Sequence, residues 1–259
     1  MELGGFSYNN YSKGRCQTVN KHLLKHVLFA CLIMENMLYF HIRKSKGYGC
    51  AFNMIKNYIF DFGNVLCEFN PQKLTGKYVT VPEDIKTVSE VVFDRLYWDK
   101  LDMGTIEDEE VKSEILKRLS PGLGAVACRV YDNWVLNLPA INGMESLVRD
   151  IHAKGGKLYL LSSISKGFAR DWCKVKWIKE LFKLFDGLVL SGTIGMVKPN
   201  RDIFEHLLCK YSLNADECIF IDDSQKNIDG AKAVGIEGYL FDGNSENLKE
   251  YLAETVSAN

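Results

Sequence analysis

The sequence predicts an α/β chain, a doubly wound parallel sheet whose first strand is followed by an all-helical insert. Three observations carry that prediction. From about residue 140 onward, short apolar runs alternate with amphipathic stretches of helical length. One earlier apolar run, Asn57–Phe62, stands apart from them. Between the two, residues 71–137 show helical spacing and no strand pattern. A length of 259 residues suits a core with an inserted subdomain.

The elements follow in order. Asn57–Phe62 (NYIFDF) is aromatic-rich and reads as a buried strand. In the insert, Val81-Pro82-Glu83 opens a helix that places Val88, Val91, Val92 and Leu96 on one face. Thr105-Ile106-Glu107-Asp108 opens a second, with Val111, Ile115 and Leu119 at helical spacing; Ser120-Pro121-Gly122 breaks it, and a third covers Ala125–Leu136. After Pro139 come helix Gly143–Lys154, strand Lys157–Ser162, helix Ser165–Phe182 and strand Gly187–Ser191. Helix Arg201–Tyr211, strand Glu217–Asp222, helix Ser224–Val234, strand Gly238–Phe241 and a helix near Glu246–Leu252 complete the chain. The boundaries make residues 54–68 and 140–259 the core, 69–139 the helical insert and 1–53 an N-terminal extension.

Composition excludes several classes. A hydrophobic share of 47% with 25% charged residues is globular rather than disordered. A net charge of −1 offers no overall field for nucleic acid, and no apolar run reaches the ~20 residues of a membrane span. The eight cysteines are scattered without a CxxC pair, so free thiols in a reducing cytoplasm are expected, as small buried apolar residues rather than nucleophiles. Charge is uneven: residues 1–53 carry +5 and the remainder −6. That front segment reads as a poorly ordered appendage or as an upstream start placed too early, because Met54 directly precedes the first strong strand. A basic membrane-surface or targeting arm is the functional alternative. Its apolar run Val27–Met34 lacks a following small-residue cleavage site, so a secretory signal fits poorly. A cytoplasmic monomer or homodimer is expected.

Polar residues gather where the strands end. The first strand runs into Asp61-Phe62-Gly63-Asn64 and the second into Ser162-Ser163. The third leads through Ser191-Gly192 to Lys198-Pro199, and the fourth ends in Asp222-Asp223-Ser224. In an open parallel sheet, ligands bind outside the carboxyl ends of the strands, so all four groups converge there. Asp61, Asp222 and Asp223 are hard oxygen donors of the kind Mg²⁺ takes together with substrate phosphate. Without a cation, three clustered carboxylates repel one another. Lys198, the Ser162 hydroxyl and the Ser163 N–H suit phosphoryl oxygens. Asp61, nearest the end of the first strand, is the candidate nucleophile for an aspartyl-phosphate.

With these pieces in order, the chain resembles the haloacid dehalogenase (HAD) superfamily, in the subgroup with a helical cap after the first motif. The segments that carry the resemblance are IFDFGNVL (59–66), LYLLSSIS (158–165), GMVKPNRDIF (195–204) and FIDDSQKNIDGAKAVG (220–235), with 101 positions from Asp61 to Ser162. The resemblance implies a Rossmann-like core, Asp61 as nucleophile, and Ser162 and Lys198 as phosphate anchors. It implies Mg²⁺ held by Asp61, the carbonyl of Gly63 and Asp223, with Asp222 alongside. The usual first motif of the superfamily is Asp-x-Asp, whose second Asp is the general acid and base; here Gly63 stands in that place. A similar Asp-x-Gly-Asn pattern occurs in a branch resembling sugar-phosphate phosphatases, and Leu101–Ile106 looks like the cap of that branch.

The expected function is therefore Mg²⁺-dependent phosphatase action on a small phosphorylated metabolite, sugar phosphates among them. Either the leaving group departs with little help, or a cap carboxyl such as Asp99, Asp102 or Glu107, or a water, supplies the proton; each of those carboxyls reads first as a solvated helix residue or cap. Two rivals stand beside it. A 2-haloacid dehalogenase also lacks the second Asp but typically lacks the acidic pair at 222–223 too. A non-catalytic phosphate-ligand binder or regulator would explain Gly63 as lost turnover.

Overall fold

The computed structural model describes residues 54–257. The expectations for the extension 1–53, Cys16, Cys31 and Cys50 included, lie outside the described residues.

Five strands form one parallel sheet: β1 (Asn57–Phe60), β2 (Lys157–Ser162), β3 (Gly187–Leu190), β4 (Cys218–Asp222) and β5 (Glu237–Leu240), in the order β3-β2-β1-β4-β5. The chain winds outward from β1 through β2 to β3, then returns to the other side of β1 with β4. The topological switch point lies between β1 and β4, where ligands settle in such sheets.

Strand alternation sends side chains to two opposite layers. Tyr58, Phe60, Leu158, Leu160, Ile219 and Ile221 face one apolar layer, whereas Ile59, Tyr159, Leu161, Val189 and Phe220 face the other. The first layer is closed by α6 (Met144–Ala153), α8 (Lys176–Phe182) and α12 (Ser245–Ser257), and the second by α10 (Arg201–Tyr211) and α11 (Gln225–Lys232).

Between β1 and β2 lies the helical insert: α1 (Pro71–Thr75), α2 (Pro82–Val92), α3 (Arg95–Asp102), α4 (Asp108–Arg118) and α5 (Pro121–Asn133), then a 3₁₀ turn, Val135–Asn137. The helix expected to continue through Leu96 instead stops at Phe93. There the Asp94 carboxylate accepts from the Leu96 N–H at 2.9 Å and caps a new helix, α3, leaving Leu96 exposed. As expected, the second helix, α4, ends before Ser120-Pro121-Gly122, but the third starts at Pro121 rather than Ala125, because a proline in the first turn of α5 has no N–H to lose. The expected single helix Ser165–Phe182 is three pieces: α7 (Lys166–Asp171), a 3₁₀ turn Trp172–Lys174, and α8. Val175 takes an extended conformation between them and is buried, so the bend turns an apolar side chain into the core. One further short helix, α9 (Ser191–Ile194), follows β3 directly.

Candidate active site

The strand register sets the site. Phe60 pairs with Leu160 on one side and Ile221 on the other, and the Asp61 N–H donates to the Ile221 carbonyl at 2.9 Å. Asp61 and Asp222 therefore leave neighbouring strands at the same level. Lys198 reaches between them, its Nζ 2.8 Å from Asp61 Oδ1 and 2.7 Å from Asp222 Oδ2. Its side chain is 2% exposed and lies over the Phe220 ring.

Asp222 is fully buried and saturated with donors. The Ser224 N–H reaches Oδ1 at 2.8 Å, and Asn227 Nδ2 lies 2.9 and 3.1 Å from the two oxygens. Asn227 holds Asp222 because the first turn of α11 points it back toward the strand. Asp223 is exposed and is braced from β1 by Asn64, whose Nδ2 donates to Oδ2 at 3.2 Å. The other end of the Asn64 amide accepts from the Phe69 N–H at 3.0 Å, which ties the start of the insert to the site.

Carboxylate oxygens of Asp61, Asp222 and Asp223 lie within 4.8 Å of one another. Burial raises the Asp61 pKa; the Lys198 ammonium opposes this and Asp222 adds to it. Asp223 is raised by burial and by Asp222. Burial works against the charge of Lys198, but Asp61 and Asp222 outweigh it and hold the ammonium above its usual range.

The remaining expected residues fall around this centre. Ser162 ends β2 buried beside β1. The Ser163 hydroxyl accepts from the Lys198 N–H at 3.1 Å, fixing the loop that presents the lysine. Gly63 is partly buried two residues past Asp61, with open space where a side chain would begin. Phe62 and Trp98 are buried packing residues.

From the sequence, Ser191 has no assigned role, and Asp102 stands only among the alternative cap acids. Ser191 is fully buried, and its hydroxyl lies 2.8 Å from the Ile164 N–H and 2.6 Å from the Asp102 carbonyl, joining the ends of β2 and β3 to the insert. Asp102, expected to be solvated or a cap, is buried. Its position had one visible signal: a carboxylate in the last turn of a helix opposes the macrodipole. Asp99 and Glu107 are exposed, paired with Arg95 and Lys166 respectively. A separate polar cleft of about 220 Å³ between α4, α5 and α7 has its cations paired, Arg170 with Asp108 and Asp171, and Lys112 with Glu109 and Asp132.

Comparison with known proteins matches residues 55–235, more than two thirds of the chain, to the haloacid dehalogenase-like hydrolase family. The chain belongs to that family. This HAD-like hydrolase is 29% identical over 181 residues to the sesquiterpene phosphatase astK of Aspergillus oryzae, covering 70% of this chain and 86% of the relative. It is 25% identical over 195 residues to the D-ribitol-5-phosphate phosphatase of Bacteroides thetaiotaomicron, covering 72% and 91%. Among solved structures, the magnesium complex of a HAD-family enzyme from Bacteroides thetaiotaomicron superposes with a TM-score of 0.58 at 22% identity, covering 76% of this chain and 98% of that one. Among the described residues, no helix of this hydrolase is long and apolar enough to cross a membrane.

Proposed function

We propose that the protein is a Mg²⁺-dependent phosphatase acting on a small phosphorylated metabolite through an aspartyl-phosphate on Asp61. The observation that carries this reading is the buried Asp61–Lys198–Asp222 arrangement with Asp223 at its open side.

The donor set fits Mg²⁺. Three carboxylates meet a single ammonium, an excess of two negative charges supplied entirely by hard oxygen. Asp61, Asp223 and the Gly63 carbonyl are the residues that would hold the ion, with Asp222 alongside. Bound there, Mg²⁺ supplies positive charge that offsets the phosphoryl oxygens. Asp61 provides the nucleophilic carboxylate, held by the β1–β4 register. Lys198, kept charged by its two carboxylate partners, binds a phosphoryl oxygen and neutralises charge in the transition state. The Ser162 hydroxyl and the Ser163 N–H complete the cradle. Asn227 and Ser224 hold Asp222, and through it the lysine.

The same acidic excess weighs against a 2-haloacid dehalogenase, whose chemistry uses no metal. The names of the two relatives, one a sesquiterpene phosphatase and one a ribitol-phosphate phosphatase, support phosphoryl substrates and span apolar and polar leaving groups. The unpaired cysteines of the described residues support a cytoplasmic setting.

The test is a panel of sugar, polyol, acyl and terpenyl phosphates with Mg²⁺ or with chelator. Phosphate release that needs Mg²⁺ and falls by about 10⁴-fold or more in Asp61→Asn is expected. Mg²⁺-dependent binding without release in the wild type would establish the regulator instead, and halide release without metal the dehalogenase.

A further inference from the structure

Transfer of a phosphoryl group to Asp61 leaves an oxygen that needs a proton, unless it is a stable anion, and the water that later cleaves the aspartyl-phosphate must lose one. Among the described residues, the core holds no group free to do either. Asp222 has both oxygens occupied by Lys198, Asn227 and the Ser224 N–H. Asp223 belongs to the acidic set with Asp61. Position 63 is glycine. Cys67 is sealed from solvent, and burial together with the charge of Asp61 lifts its thiol well above the ordinary range.

The insert brings one carboxyl to this place. Asp102 is the last residue of α3, with its side chain 10% exposed. Among the described residues no donor hydrogen-bonds its carboxylate, and the Arg95 guanidinium stands 4.0 Å away. Its main chain is clamped to the catalytic end of the sheet. The Ser191 hydroxyl bonds the Asp102 carbonyl, and a side chain at Gly104 would begin 2.2 Å from the Gly192 carbonyl oxygen. The charges of Asp61 and Lys198 act on the Asp102 carboxyl in opposite senses, behind its burial and the charges of Arg95 and Asp99.

We propose that Asp102, delivered by the cap, is the general acid and base of the reaction. The proposal rests on the phosphatase reading. In the first step a carboxylate oxygen of Asp61 bonds to phosphorus, the bond from phosphorus to the leaving oxygen breaks, and the Asp102 carboxyl gives that oxygen its proton. In the second, the Asp102 carboxylate takes a proton from water as the water oxygen bonds to phosphorus. The Asp61–phosphorus bond then breaks, phosphate departs and both aspartates return to their starting forms. Burial raises Asp102 to about 7, Arg95 and Lys198 opposing and Asp99 and Asp61 adding, so both forms exist near neutrality. The negative end of the α3 dipole acts in the same direction.

The test compares an alkyl phosphate with p-nitrophenyl phosphate, whose leaving group departs without a proton, in the full chain with Mg²⁺. For Asp102→Asn, single-turnover phosphorylation by the alkyl phosphate is expected to slow by about 10²–10⁴-fold and that by p-nitrophenyl phosphate by less than about tenfold. Breakdown of the phosphoenzyme then limits turnover, so nitrophenolate appears in a burst. Asp102→Glu restores part of the alkyl rate. Equal losses on both substrates, or none, overturn the role of Asp102 and leave the phosphatase reading standing. A wild type that releases phosphate from neither substrate removes both. Should Asp102→Asn fail to fold, the wild type decides alone: its phosphorylation rate should depend weakly on leaving-group pKa, and a steep dependence overturns the proposal.

Discussion

The sheet end and the cap each hold a buried aspartate, by opposite means. Asp61 is positioned by backbone pairing: its own N–H bonds β4, and its carboxylate meets a buried lysine. Asp102 is positioned by docking: its carbonyl meets a serine from another element, and among the described residues its carboxylate has no hydrogen-bond donor. The first arrangement is paired and permanent. The second depends on closure of one region upon another, which is how a proton-transfer group can remain uncommitted until substrate is enclosed.

Asp61→Asn and Asp102→Asn, described above, test the two halves of this comparison directly. Three further experiments sharpen it, in descending order of effect. Lys198→Met should strike the paired region hardest, leaving two buried carboxylates facing each other. A fall in activity of about 10³-fold is expected, with a loss of about 3–5 kcal/mol in metal-free urea unfolding. Activity near wild type would show that Asp61 and Asp222 need no ammonium. Asp223→Asn should leave the fold intact, because the residue is exposed. It should raise the Mg²⁺ concentration for half-maximal activity by about 10–100-fold; an unchanged Mg²⁺ titration would place the ion elsewhere.

The smallest effect concerns stability and pH in metal-free protein. Asp102 in the folded state titrates at about 7, above its ordinary value of 3.8, so the folded chain keeps this proton after the unfolded chain has lost it. Its contribution is therefore present in full below about pH 4 and is lost as pH rises toward 7. Asp102→Asn should remove that slope, so relative to wild type it gains about 3 kcal/mol between pH 4 and pH 7, read from urea midpoints. A variant that tracks the wild type across this range would mean that the buried carboxyl titrates normally.

The fold class and the strand-end residues were legible because they obey local rules. A parallel strand buried on both faces is an apolar run, and a polar residue at its end has only the carboxyl edge of the sheet to occupy. Asp61, Lys198 and Asp222–Asp223 could be placed on that basis. Breaks inside the helical stretches were less visible. Asp94 capping α3 and Val175 turning inward both depend on what packs against them, and periodicity alone runs through such points. Asp102 was the hardest to read. An aspartate ending an eight-residue helix is ordinarily solvated, and its burial here arises from Ser191, 89 positions downstream.

Ser191 has a consequence for timing. Its hydroxyl meets the core through Ile164 and the cap through Asp102, so lifting the cap breaks one contact and spares the other. Under the roles proposed above, Asp102 would then travel away with the lid while Asp61 stays behind. An alcohol product could leave through the opened mouth, and solvent entering behind it would meet the proposed phosphorylated Asp61 with no base at hand. Completion of the cycle waits for the lid to shut again, which would make each turnover a matter of two closures rather than one.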